Sequence, residues 1–202
     1  MSRRDRHRPD HRRASVANEA ARLIMEQGLS DFRVAKAKAI ERLGLSSSGS
    51  LPSNEEIDAA LAERARIFSG EQHHQHVREL RAAALWIMRS LQVFNARLVG
   101  SVLSGNATRH STIDLHVFSD SPEAVGSQLD ALGIAHRSAQ FRHQFRPRQG
   151  ERFPGFRFAA EEFEYAATVF TETQRRRAPL SPVDGRPMQR GSVQDVEDLL
   201  LA

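Results

Sequence analysis

The sequence predicts an α/β fold, of the α+β kind: a mixed sheet flanked by helices, with a helical N-terminal extension. Three observations carry this. Residues 15–68 and 77–93 repeat apolar side chains at helical spacing. Short apolar runs at 98–100, 112–118, 153–158 and 163–170 read as strands. A glycine- and serine-containing turn joins the first two of these runs. With 202 residues and 40% hydrophobic content, the chain can bury a sizeable core.

Residues 1–14 hold six Arg and two His against two Asp, with no apolar residue between Met1 and Ala14. This predicts a disordered Arg-rich tail, either a solvated terminus or a nucleic-acid-binding arm. Arg3-Arg4 invites comparison with an export signal, but no hydrophobic segment follows. Residues 15–70 form the helical N-terminal region. Ser15 is placed to cap a first helix carrying Ala17, Ala20, Ala21, Ile24 and Met25 on one stripe, stopped by Gly28. Asp31 opens a second, with Phe32, Ala35, Ala39 and Leu43 on one face, and Gly44 ends it. Arg33, Lys36 and Arg42 lie off that face, as a solvated surface or an RNA contact. After a Ser- and Gly-rich linker at 45–52, Ser53 and Glu56 have capping-box spacing, and Ile57, Leu61 and Phe68 give a third helix its stripe.

A polar break is expected at 70–76. Its His73, His74 and His76 lack the Cys or carboxylate spacing that would complete a metal site, so a solvated linker is expected. A long helix over 77–93 then opens the second domain, 76–202, with Leu80, Ala83, Ala84, Ile87, Met88 and Leu91 facing its core. Beyond the strand at 112–118, Ser121-Pro122 starts a helix that Gly133 ends. Residues 134–145 read as a strand. Residues 153–158 and 163–170 align as a hairpin, and a turn-rich strap leads to a last helix capped by Ser192.

The chemistry concentrates between Arg97 and Phe118. An apolar run ends in Gly100-Ser101, Gly105 follows, and Ser111 precedes a strand carrying Asp114. Glycine permits a tight turn and close backbone approach, and a serine hydroxyl can donate to a phosphate oxygen. With Ala107, Ile113 and Leu115 in register, the stretch resembles the nucleotidyltransferase superfamily, which includes DNA polymerase beta and the small bacterial minimal nucleotidyltransferases. The family pattern is Gly-Ser, a second Gly, then Asp-x-Asp on a strand. The resemblance implies metal-dependent transfer of a nucleotidyl group from a nucleoside triphosphate, Mg²⁺ as cofactor, and RNA or another nucleic acid as a partner. It also implies nucleotide contacts at Gly100, Ser101, Gly105 and Ser111, with Asp114 as a catalytic metal ligand.

Thr112 departs from this pattern by standing where the family has its first aspartate, so the motif is degenerate. Strand alternation puts Thr112, Asp114 and His116 on one face. Glu164, in the 163–170 strand, is the expected second catalytic metal ligand. A hydroxyl is a weak substitute for a carboxylate around Mg²⁺. His116 is expected either to hydrogen-bond a phosphate or base, or to be held by Asp114 or a backbone group. The alternative function is a catalytically silent module of the same fold, binding nucleic acid or a protein.

Composition narrows the remaining classes. No apolar run approaches the roughly 18 residues of a membrane span. The chain has no Cys, which excludes disulfides and thiolate metal sites and fits a cytoplasmic protein. Phosphate-binding Gly-x-x-x-x-Gly-Lys-Ser/Thr, Gly-x-Ser-x-Gly and His-Glu-x-x-His motifs are absent from the sequence.

Overall fold

The computed structural model describes residues 4–29, 31–46, 49–68 and 70–201. The chain divides into two compact units. One comprises residues 1–74 with 108–110 and 182–184; the other comprises 75–107, 111–181 and 185–202.

The first unit is built on α1 (Arg4–Gln27), α2 (Phe32–Arg42) and α3 (Asn54–Phe68). Val16, Ala17, Ala20, Ala21 and Leu23 of α1 pack against Ala35 and Ala39 of α2 and against Ile57 and Leu61 of α3. Alanine on the facing stripes lets the helices approach closely. The predicted caps of α2 and α3 form. Asp31 accepts from the Arg33 backbone N–H at 2.7 Å. Ser53 and Glu56 exchange side-chain and backbone bonds at 2.6 and 3.1 Å.

Two expectations for this region are corrected. Helix α1 begins at Arg4, so the segment expected to be a disordered tail is helical from there on. Extending a helix already anchored by packing needs no new nucleus, and arginine is a good helix former. Arg13 also binds Glu56 of α3 at 2.8 Å. Ser15 is therefore an interior residue whose hydroxyl donates to the His11 carbonyl. The polar break expected at 70–76 is likewise helical, as the first turns of α4 (Gly70–Ser90). The segment contains no helix breaker after Gly70, and His76 lies 3.9 Å from Glu79 one turn on. Among the described residues no three His, Asp or Glu side chains gather as a metal site. The side chain of Phe68 lies outside the described residues.

The second unit contains β1 (Arg97–Val99), α5 (Gly100–Ser104), β2 (Ile113–Phe118), α6 (Pro122–Ala131), β3 (His136–Arg146), β4 (Gln149–Ala160), β5 (Phe163–Phe170) and α7 (Val193–Leu201). The strands form one mixed sheet in the order β1-β2-β5-β4-β3. Only β2 and β5 run parallel. The expected neighbourhood of the 98–100, 112–118 and 163–170 strands is present, although Gly100 belongs to α5 rather than to β1 and Thr112 lies just before β2.

One sheet face is buried. Leu98, Leu115, Val117, Phe156, Phe158, Tyr165, Ala167 and Val169 meet Leu80, Ala84, Ile87, Met88 and Leu91 of α4, Val125 and Leu129 of α6, and Val196 of α7. Each fully buried aliphatic or aromatic side chain here contributes about 1.5–3 kcal/mol. Strand pleating sends the intervening residues Asp114, His116 and Phe118 of β2, Ala166, Thr168 and Phe170 of β5, and Phe153, Gly155 and Arg157 of β4 to the opposite, front face. The strap before α7 adds to the sheet edge, where Gly191 and Leu98 exchange backbone bonds of 2.8 and 2.9 Å.

Candidate functional site

The front face is organised by the turn that follows β1. Val99 pairs with Asp114, and the chain then enters α5 through Gly100 in a left-handed conformation, φ 72°. A Cβ on Gly100 would lie 3.1 Å from Asp114 Oδ2. Glycine thus meets two local demands here, a positive φ and room for the carboxylate. Gly105, φ 87°, ends α5 and its N–H donates to the Ser101 carbonyl at 2.9 Å. Arg81 of α4 closes the same helix end by donating to the carbonyls of Val102 and Leu103 at 3.2 and 3.0 Å. Ser101 and Ser111 come together with hydroxyls 3.4 Å apart. Of the residues singled out from sequence, Gly100, Ser101, Gly105, Ser111 and Asp114 therefore belong to one connected turn-and-strand assembly.

Asp114 is half-buried, and among the described residues no hydrogen-bond donor reaches its carboxylate. Burial pushes its pKa up to about 6, against the pull of the Arg157 guanidinium. Arg157 lies in the same row of the sheet, since Asp114 pairs with Ala166 and Ala166 with Arg157.

Glu164 is exposed on the same face but two residues before Ala166 along β5. Strand geometry sets its Cα about 8 Å from that of Asp114. The position beside Asp114 that would supply a further carboxylate is therefore Ala166, and position 112, next to Glu164 by extension of the register, is Thr112.

His116 departs from the expectation of a nucleotide contact, because it is only 1% exposed. Its Nδ1 accepts from Arg190 Nε at 3.1 Å, which leaves the ring proton on Nε2. The partner is neither Asp114 nor a backbone group. Arg190 lies over the rings of Phe118 and Phe170 at 4.9 and 5.3 Å, and its Nη1 donates to the carbonyls of Gln174, Arg175 and Arg177. His143 completes the cluster through Thr168 Oγ1 at 3.1 Å. Burial first, then the neighbouring His143 and Arg190, pulls His116 well below the ordinary histidine value, and burial with Arg190 pulls His143 down to about 4. Both imidazoles are neutral at pH 7. No sequence signal marks Arg190, which lies in the strap 74 positions from its partner.

These shifts act on stability in opposite directions. The folded state retains the Asp114 proton to higher pH than the unfolded chain does, so this residue costs stability as pH rises from about 4 to 6. The histidines cost stability as pH falls below about 6.5. Asp114→Asn should therefore be more stable than wild type by about 2 kcal/mol at pH 7.5 in EDTA, and equal to it near pH 4. Thermal melts across that range test this; a constant difference at every pH would show that Asp114 is not desolvated.

No family model matches the chain, and no curated protein matches it. Among solved structures the chain is similar to RNA terminal uridylyltransferases. One is a cytoplasmic RNA terminal U-transferase, at 24% identity and a TM-score of 0.35 over 47% of this chain and 29% of the other. A second is Cid1 in complex with the UTP analogue UMPNPP, at 21% identity and a TM-score of 0.37 over 58% and 37%. A third is the Cid1 poly(U) polymerase bound to MgGTP, at 20% identity and a TM-score of 0.35 over 58% and 38%. The chain thus spans little more than a third of these proteins at most. No helix among the described residues is long and apolar enough to cross a membrane.

Proposed function

We propose that this chain is a nucleotidyltransferase-like protein that binds a nucleoside triphosphate at Gly100 and Ser101, beside one divalent ion held by Asp114 with Glu164. The observation that carries this is the half-buried Asp114 carboxylate, packed against the glycine turn without a hydrogen-bond donor among the described residues. A desolvated carboxylate is costly unless a cation neutralises it, and Mg²⁺ favours anionic oxygens. Two carboxylates are a donor set for one such ion, with phosphate oxygens and water completing its oxygen shell. They do not suffice for two ions, because Thr112 and Ala166 fill the flanking positions where further carboxylates would stand. When bound, the ion supplies charge neutralisation to the phosphates.

The chain's own groups do the rest. Ser101 donates its hydroxyl to a phosphate oxygen, with Ser111 behind it. Gly100 keeps the backbone and Asp114 in close approach, and Arg157 offers a guanidinium to the same anion. The reaction this supports joins an acceptor hydroxyl, such as an RNA end, to the α-phosphorus with release of pyrophosphate, at a slow rate. A second reading, a module that binds without transfer, is favoured by Thr112.

Titration with fluorescent ATP, GTP, CTP and UTP tests the site. At least one should bind in Mg²⁺ and lose affinity in EDTA. Ser101→Ala should weaken binding by roughly ten- to one-hundred-fold, as for one hydrogen bond to a charged group. Undiminished binding by Asp114→Asn in EDTA would remove the ion from the site. Ser101→Ala is the cleaner probe, because any Cβ at Gly100 strains a left-handed residue and presses on Asp114.

A further inference from the structure

The β3–β4 hairpin carries charge that its own fold does not need. Residues 136–160 hold six arginines and a single acid, Glu151, a formal +5 against +4 for the whole chain. All six, Arg137, Arg142, Arg146, Arg148, Arg152 and Arg157, are exposed. Among the described residues none of them lies within 4.0 Å of a carboxylate, as the ion-paired arginines elsewhere in the chain do. Two pairs stand directly opposite one another across the strands, Arg137 with Arg157 and Arg142 with Arg152. Like charges so placed destabilise a sheet. Pleating puts the first pair on the front face, in the row that contains Asp114, and the second on the other face.

The hairpin also runs past the sheet. β5 pairs with β4 only from Gly155 to Ala160, so 149–154 have β3 alone as a strand partner. At the tip, Pro147 and Arg148 form a two-residue turn in which Arg148 adopts φ 62°. Proline followed by a left-handed residue is the pattern of a type II turn, whose third position favours glycine. An arginine held there strains the backbone, and the ribbon carries unneutralised cations on both faces whose mutual repulsion a bound anion would offset.

We propose that the β3–β4 ribbon is a nucleic-acid-binding arm that tracks a phosphodiester backbone with Arg137, Arg142, Arg146, Arg148, Arg152 and Arg157. Guanidinium groups suit phosphate oxygens bidentately, and the ribbon presents them in register along two strands. On the front face Arg157 also lies 5.2 Å over the Phe141 ring, which fixes its guanidinium above the sheet. This deepens the RNA-end part of the proposed function by naming the surface, and it can fail separately from nucleotide binding at Gly100 and Ser101.

The test is fluorescence anisotropy with labelled 20-nucleotide oligo(U) RNA, single-stranded DNA of the same length, and a 20-base-pair RNA duplex, each over a salt series. Full-length wild type should bind at least one of them. A variant with Arg142→Ser, Arg146→Ser, Arg148→Gly and Arg152→Ser should bind at least ten-fold more weakly. Its salt slope should be shallower by about 0.7 for each phosphate it no longer neutralises on a single strand, or about 0.9 on a duplex. Arg148→Gly alone separates binding from folding, because it should raise the melting temperature while lowering affinity roughly two- to five-fold. Fluorescent nucleotide binding, measured on the same proteins, should be unchanged. The proposal is overturned if the four-residue variant binds like wild type with an unchanged slope, whether or not Ser substitutions at Arg3, Arg4, Arg6 and Arg8 abolish binding. Ribbon-dependent binding to phosphatidylserine vesicles without binding to any nucleic acid would also overturn it.

Discussion

Gly155→Val should destabilise the sheet-containing unit by about 3 kcal/mol or more, through overpacking together with a disrupted ladder bond. A Cβ at Gly155 would lie 2.1 Å from the Ala167 carbonyl oxygen and 2.8 Å from the Phe141 ring. The first of these neighbours is backbone and cannot rotate away. Ala167 is wholly buried in β5, opposite Phe156, so relieving the clash means separating β4 from β5. That seam supports the front face, because Thr168, which holds His143, is paired with Gly155 itself. Gly133→Ala is the matched control. Its φ is 70°, but a Cβ there meets nothing within 4 Å, so only the left-handed strain of about 1 kcal/mol is expected. Thermal denaturation should separate the two variants by several degrees. Equal melting temperatures would mean that β4 and β5 are not packed in this register.

The second large effect is a gain. Thr112→Asp places a second carboxylate two positions before Asp114, at the residue that leads into β2. Without metal, the added charge faces Asp114 and Glu164, and the variant should melt below wild type. With Mg²⁺ the order should reverse, since an ion at one hundred times its dissociation constant stabilises by about 2.7 kcal/mol. Transfer of label from a nucleoside triphosphate to RNA or protein should rise roughly one-hundred-fold, the scale of one electrostatic interaction made in the transition state. Adding Ala166→Asp, which places a carboxylate directly beside Asp114, should strengthen Mg²⁺ binding further. If Mg²⁺ shifts neither variant, the metal assignment at Asp114 is wrong. If both bind Mg²⁺ and neither labels an acceptor, the binding-module reading replaces transfer.

The local elements were legible because short-range chemistry specifies them. The Ser53 and Glu56 cap, the Pro122 helix start and the left-handed Gly100 each follow from one or two residues and their neighbours. The start of α1 was not legible, because a helix anchored at Val16 to Leu23 extends outward through residues that would not nucleate alone. The histidine-rich segment read as a break only because its composition is polar; its backbone simply continues α4.

By itself the sequence determined an α/β chain with a helical extension, the strand carrying Asp114, and the face that Asp114 shares with His116. The tertiary structure alone decided which residues stand beside them. β5 inserts parallel to β2, and a strand pattern of period two is unchanged by a shift of two residues, so Glu164 and Ala166 are indistinguishable until the register is known. The same holds for Arg190, whose bond to His116 spans 74 positions and depends on the strap joining the edge of β1. Alternation along a strand fixes a face; only the pairing between strands fixes a neighbour.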